Sequence, residues 1–256
     1  MSTEVLQGSS WTPDALEVVK RACDYYGGVE AWRSLRRIRL IPDRLSGLLP
    51  RLKGVGYSFR LPTAFEIAPH ERWIRFIGYP DQDHDGVFDN GVVRLERRGT
   101  REVVAIAENH RQSFCGLAKY RRWSPLDALY FFGYALTHYH ALPFTLLDGR
   151  LIATASTGAR ANAMSALEIE LPEDLPTHCR RQRFYFDRDG RLVRHDYHSE
   201  IVGIWARGAH FWNRQTRFGG FPISLERYVV ARFGSITVPI PALHATFLDA
   251  EVEFAS

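Results

Sequence analysis

The stretch from Trp123 to Phe144, WSPLDALYFFGYALTHYHALPF, constrains the fold more than any other part of the chain. Ser124 is placed to N-cap a helix, Pro125 stands at its first position, and Asp127 closes a capping box three residues after the cap. Pro143 sets the stop, because the residue before a proline disfavours helical backbone. Between these marks the spacing predicts a helix of about 18 residues, roughly 27 Å at 1.5 Å per residue. After Asp127 there is no Asp, Glu, Lys or Arg until Asp148. A helix that is apolar all round is buried on most sides. This one is too short, and too rich in Tyr and His, to span a membrane.

The two sides of the helix differ. Ala128, Phe131, Phe132, Ala135, Tyr139 and Leu142 project one way and read as packing surface. Tyr130, Tyr134, Thr137, His138 and Ala141 project the other way, an apolar side with hydroxyl and imidazole tips. A buried polar tip costs free energy unless it meets a partner in the protein, in water or in a ligand. The expectation is therefore a cavity lined by Tyr130, Tyr134, Thr137 and His138, with Phe131 and Trp212 as further ligand-binding candidates.

The rest of the chain supplies the container. Thr12-Pro13 opens a first helix with an apolar stripe at Leu16, Val19, Cys23 and Tyr26, ended by Gly27-Gly28, and a short helical piece follows at Val29–Leu35. From Arg36 the pattern turns to period two. Strands are expected at Arg37–Ile41, Tyr57–Arg60, Ala64–Ala68, Arg72–Gly78, Gly91–Arg98 and Arg101–Ala107. Leu45–Gly54 reads as a lid-like loop or helical turn. After the central helix come Leu151–Ala155, Ala166–Leu171, Arg180–Phe186, Arg191–Ile201, Gly208–Arg217, Ile223–Phe233 and Leu243–Phe254, with a loop at Ser156–Ser165. Asp187-Arg188-Asp189-Gly190 is the clearest hairpin turn. The sum is a mainly β (α+β) chain. Because a flat sheet cannot shield an apolar helix and a twisted, bulged one can, the expected form is a large curved antiparallel sheet, an unclosed barrel wrapped around the buried helix. Residues 1–11 are polar and expected to be flexible; residues 12–256 are expected to form one half-barrel domain with a hydrophobic cavity.

Charge and cysteine usage narrow the function. The net charge of +4 rests almost wholly on Arg, with Lys at only three positions, and the Arg pairs are scattered. Nucleic-acid binding needs a concentrated basic face, so none is expected. Three widely spaced cysteines make neither a disulfide framework nor a zinc site. The first residues show no signal-peptide pattern and no run reaches membrane-spanning length, so the expected setting is the cytoplasm.

This outline resembles the lipoprotein-localisation (LolA/LolB-like) superfamily and bacterial proteins of unassigned function that look like it. The resembling stretches are Tyr26-Gly27-Gly28-Val29-Glu30-Ala31-Trp32; Phe131-Phe132-Gly133-Tyr134-Ala135 with Pro143-Phe144; Phe184 to Leu192, FYFDRDGRL; Arg194-His195-Asp196-Tyr197; and Ala209-His210-Phe211. The resemblance implies an unclosed antiparallel barrel with helices against its concave face and a hydrophobic ligand cavity between. Carriers of that kind are periplasmic, whereas this sequence shows no secretion signal. A cytosolic cavity protein of this form is expected to act on a small molecule instead of carrying lipoproteins.

Candidate chemistry concentrates at His195-Asp196-Tyr197-His198. On a strand His195 and Tyr197 share one face, and Arg194, Asp196, His198 and Glu200 the other. His195, Asp196, Tyr197 and His210 are the expected catalytic proton donors and acceptors; a satisfied cross-strand polar network is the plain alternative. Asp81-x-Asp83-x-Asp85-Gly86-x-x-Asp89 opens like a calcium loop, but Val92 stands where the bidentate Glu belongs and the flanks read as strands, so a polar turn between strands accounts for it better. His138-x-His140 points about 200° apart on a helix and cannot chelate. No metal, nucleotide or other cofactor is expected. The functional expectation is a cofactor-independent cyclase, isomerase or dehydratase acting on a hydrophobic, polycyclic, polyketide-like or terpenoid substrate. A non-catalytic carrier or sensor of a hydrophobic small molecule is the alternative.

Overall fold

The computed structural model describes residues 12–56, 60–147, 152–157, 164–234 and 236–255, the backbone alone for 152–157. The expected flexible segment 1–11, most of the expected strand at 57–60 and most of the 156–165 loop lie outside them. The described strands form one antiparallel sheet of 13 strands. In chain order they are β1 (Leu35–Ser46), β2 (Ala64–Ala68), β3 (Trp73–Ile77), β4 (His84–Asp89), β5 (Val92–Arg97), β6 (Val103–Ala107), β7 (Ile152–Thr157), β8 (Ser165–Glu170), β9 (Arg181–Phe186), β10 (Leu192–His198), β11 (Arg207–Phe218), β12 (Phe221–Phe233) and β13 (Ile236–Phe254). The helices are α1 (Pro13–Tyr25), α2 (Gly28–Ser34), α3 (Leu48–Lys53) and α4 (Pro125–Ala141), with short 3-10 turns around α4.

The spatial order is β6-β5-β4-β3-β2-β1-β13-β12-β11-β10-β9-β8-β7. The first six strands march outward to one edge, and α4 then leads toward the opposite edge, where β7 begins. From there the chain steps back inward until its last strand pairs with its first. Register shifts between Ile41 and Pro42, Pro42 and Arg44, and Val229 and Arg232 bend the long central strands, as bulges do. Pro42 is tolerated inside a paired strand because it sits at such a shift. The sheet thus curves without closing.

α4 forms as its capping signals require. Ser124 Oγ accepts from Asp127 N at 3.2 Å, and Asp127 Oδ2 accepts from Ser124 N and Oγ at 2.8 Å. Nearly every α4 side chain is buried. The helix packs most closely on β3, β4 and β5, and the closeness depends on absent side chains. A Cβ at Gly133 would stand 2.5 Å from Phe88 Cβ, and one at Gly86 of β4 would stand 3.0 Å from a Leu129 methyl. Two glycines facing large residues across the interface let the helix sink onto the strand, so the cavity opens on its other side.

β1 runs further than the expected Arg37–Ile41, one strand was not expected, and another starts early. β4 occupies the acidic stretch read as a possible calcium loop. Asp85 and Glu96 face each other across β4 and β5, an arrangement that is unfavourable alone. Arg75 bridges them at 3.2 and 2.9 Å, Arg101 approaches Asp85 at 3.0 Å, and Arg94 reaches Glu96 at 2.7 Å. Asp85 is therefore engaged by arginines. β13 begins seven residues before the expected start at Leu243, despite Pro239 and Pro241. That first part pairs with β12 alone, because β1 reaches only to His244; on an unpaired side a proline forfeits no ladder bond. Leu45–Gly54, left between loop and helical turn, contains α3, a one-and-a-half-turn cover held at its end by the buried Lys53, which donates to the Lys119 and Arg121 carbonyls.

Candidate functional site

The concave faces of β9 to β13 carry the site. Register places Phe184, His195, His210, Val229 and Leu243 in one row across five strands, and Trp212, Arg227 and Ala245 in the next. Tyr197 stands opposite Gly208, and a Cβ there would press on Val229 at 3.1 Å and touch the Tyr197 ring at 3.6 Å. Across from these rows stands α4.

Between α4 and β1, β12 and β13 lies an apolar cavity of about 80 Å³. From α4 it is lined by Ala128, Phe131, Phe132, Ala135, Leu136 and Tyr139; from the sheet by Phe65, Phe76, Tyr197, His210, Arg227, Val229, Leu243 and Phe247. A second apolar cavity of about 70 Å³ runs under α3, against Leu48, Leu49 and Leu52. Phe131, Tyr197, Val229 and Leu243 line both and form the partition.

The expected and observed sides of α4 are exchanged. Of Tyr130, Tyr134, Thr137, His138, Phe131 and Trp212, only Phe131 lines the main cavity. Tyr130 packs among Phe88, His110 and Phe114. Thr137 donates back to the Gly133 carbonyl. Tyr134 bonds His178. His138 sits among Tyr139, Phe184 and His195. Trp212 lies behind the cavity, under Arg227. The side read as packing surface is the cavity wall, because the Gly133–Phe88 contact decides which way the helix leans and a helical wheel carries no such information.

Of the four catalytic candidates, the structure brings His195, Tyr197 and His210 together and sends Asp196 elsewhere. His195 and His210 are cross-strand partners, 0% and 1% exposed, with ring centroids 6.2 Å apart. Tyr197 lies 4.9 Å from His195 by ring centroid. Asp196, on the alternate face, takes Arg194 at 2.7 and 2.9 Å, Tyr185 at 3.1 Å and Arg232 at 3.5 Å. Its carboxylate cannot orient any histidine of the cavity.

Three residues of this cluster escaped the sequence reading. His178, in the irregular chain between β8 and β9, meets the Tyr134 hydroxyl at 2.8 Å through Nδ1 and the Tyr139 hydroxyl at 2.6 Å through Nε2. It stacks flat on Tyr197 at 3.9 Å. Arg227 is 3% exposed, with its guanidinium 4.1 Å from the Trp212 ring and 5.2 Å from that of Tyr139. Position 227 falls in the inward phase of Leu225-x-Arg227-x-Val229, a charged residue at an apolar position, which was a legible signal.

Burial dictates the protonation states. Desolvation holds His178, His195 and His210 well below the ordinary histidine value, with neighbouring imidazoles or Arg227 adding to it. It lowers His138 to about 4 and His140 to about 3. It raises Tyr134, Tyr139 and Tyr197 above the ordinary phenol value. Desolvation also lowers Arg227 to about 10, against partial support from Tyr139, Tyr26 and Tyr197, so it remains charged at neutral pH.

Tautomers follow from partners. His195 Nε2 donates to Gln182 Oε1 at 2.5 Å, leaving Nδ1 as the lone-pair nitrogen. His140 Nδ1 donates to the Leu136 carbonyl at 2.7 Å, so its Nε2 accepts weakly from Arg227 at 3.4 Å. Among the described residues, both ring nitrogens of His210 and of His138, and Nε and Nη1 of Arg227, lack a hydrogen-bond partner. Gln182 is near enough to His138 to favour its protonated form, yet no bond of ordinary geometry forms between them. No three His, Cys, Asp or Glu side chains among the described residues are grouped to hold a metal ion. No described helix is long and apolar enough to cross a membrane.

No family model matches the chain, and no curated protein does. Among solved structures it is similar to a LolA superfamily protein from Nitrosomonas europaea, at 7% identity and a TM-score of 0.48, over 93% of this chain and 92% of that one. It is also similar to a DUF1329 family protein from Desulfovibrio piger, at 10% identity and a TM-score of 0.43, over 94% and 93%. The first of these belongs to the superfamily that the sequence resembles.

Proposed function

We propose that this protein binds a small hydrophobic molecule in the cavity between α4 and β1, β12 and β13, as a carrier or sensor. One observation carries the reading: an apolar cavity whose wall also includes buried polar atoms without hydrogen-bond partners among the described residues, both ring nitrogens of His210 and Nε and Nη1 of Arg227. Buried polar groups are ordinarily paired, and a mostly apolar hollow with a few polar points is the usual form of a ligand site. The main cavity, at about 80 Å³, is smaller than the roughly 150 Å³ of an engineered cavity that takes up benzene. A ligand of polycyclic size therefore needs the partition or α3 to shift. A short chain threading from one cavity toward the other asks for the smallest shift. The three unpaired cysteines fit a reducing compartment such as the cytosol.

Cofactor-independent proton transfer, as in isomerisation, cyclisation or dehydration, is the second reading. Its support is the linked Tyr134–His178–Tyr139 chain, with Tyr197 stacked on His178, beside His210. Binding is favoured over it because general acid–base groups work best with a pKa near the working pH. Here desolvation moves the histidines down and the phenols up, away from neutrality.

The test is a calorimetric titration with octanol. One molecule is expected to bind per chain, and Ala135→Trp, which fills the cavity wall, is expected to abolish it. Asp196→Asn serves as the outer-face control and should bind as the natural protein does. Equal uptake by the filled variant would remove the cavity from consideration.

A further inference from the structure

Arg227 is the least explained group in the molecule. It lies at 3% exposure on the inner face of β12, in the cavity wall. Among the described residues no carboxylate pairs with it. The neighbouring acids are turned away by strand alternation: Glu226 points to the other face and takes His244 at 2.8 Å, and Asp196 takes Arg194 and Arg232. The phenols near Arg227 are neutral, and its one hydrogen bond is the 3.4 Å contact to His140. Trp212 and Tyr139 give it cation–π contacts, worth about 2 kcal/mol when desolvated. Those contacts leave Nε and Nη1 without a hydrogen-bond acceptor. An uncompensated buried charge is costly.

Register puts His210 diagonally beside Arg227, two residues along the same pair of strands and on the same face. His210 lines the same cavity, is 1% exposed, and has both ring nitrogens free of protein partners. A cation and a neutral imidazole at one end of an apolar hollow form an acceptor-seeking corner. We propose that the ligand of this cavity is an apolar monocarboxylate, its carboxylate on Arg227 and His210 and its chain running along Phe131 and Leu243 toward the second cavity. A single guanidinium balances a single negative charge and matches carboxylate geometry. A phosphate would bring a second charge with no second buried cation to meet it. This assignment rests on the cavity being a ligand site.

The experiment compares octanoate, octanol and methyl octanoate on the full chain by calorimetry. Octanoate is expected to bind about tenfold to hundredfold more tightly than the two uncharged probes, the effect of one charge-assisted hydrogen-bond set. In Arg227→Met, a volume-conserving change, that preference should vanish while octanol binding persists. Arg227→Lys should keep part of it. Arg44, exposed at the cavity mouth, is the positional control, and Arg44→Met should keep the preference. Equal affinity for octanoate and octanol would overturn the carboxylate assignment and leave the cavity reading standing. Loss of preference in Arg44→Met with retention in Arg227→Met would place the head at the mouth and overturn it as well. Binding of none of the three probes would overturn the cavity reading itself. Should Arg227→Met fail to fold, retention of the full preference by Arg227→Lys and its persistence in His210→Phe would together count against the assignment.

Discussion

Five buried histidines, His138, His140, His178, His195 and His210, have pKa values depressed by desolvation. Their unfolded value is about 6.5. Above it the histidines are neutral in both states and the full native stability is present. Below it the unfolded chain takes up protons that the folded chain refuses, so stability falls with pH at up to about 1.4 kcal/mol per unit for each histidine. The loss continues down to the folded pKa, about 4 for His138 and about 3 for His140. The midpoint of thermal unfolding is therefore expected to hold between pH 7 and 8 and to drop steeply between pH 6.5 and 5. His138→Leu removes one such group, which has no protein partner to lose, so its midpoint should exceed that of the natural protein by more at pH 5.5 than at pH 8. A difference independent of pH would show that His138 is solvated or paired. Alternation alone told which side chains of the 194–198 strand share a face. It could not tell that Tyr185, Arg194 and Arg232 converge on Asp196, because they come from three different strands.

At the scale of elements, α4 was legible from its caps and its uncharged length, and its lean was not. The lean follows from Gly133 meeting Phe88. In an exposed helix Gly→Ala gains about 1 kcal/mol; here the added methyl meets a ring, and overpacking costs about 1–3 kcal/mol. Gly133→Ala is expected to destabilise the protein by roughly that net amount in chemical denaturation, and a stabilised variant would show that the interface is looser than described. β4 and the first part of β13 were missed for a shared reason. Acidic residues and prolines are depleted in strands on average, and each was rescued by a partner or a free edge that only the sheet supplies.

For the molecule as a whole, the decisive pairing is β1 with β13, the first strand with the last. Every earlier strand pairs with a neighbour in sequence, so the two halves are joined only when this long-range ladder forms. α3 covers the second cavity at that seam, a six-residue helix with Leu48 and Leu52 half exposed. So short a helix has little intrinsic stability, and low-stability elements open first. Its amides are expected to exchange with solvent orders of magnitude faster than those of α4, and octanoate is expected to slow them. Exchange in α3 as slow as in α4 would mean that ligand enters elsewhere.

The sequence by itself determined what is local and periodic: the capped apolar helix, most strands, the Asp187–Gly190 turn, and a β-rich chain that must curve around α4. Those follow from caps, turn chemistry and alternation, which act over a few residues. Tertiary structure alone decided which side of α4 faces the cavity, that His178 joins Tyr134 and Tyr139, and that among the described residues no carboxylate meets the inward Arg227. Each depends on groups brought together from 39 to 87 positions apart, where no short-range pattern reaches and only the packing of helix on curved sheet sets the distances.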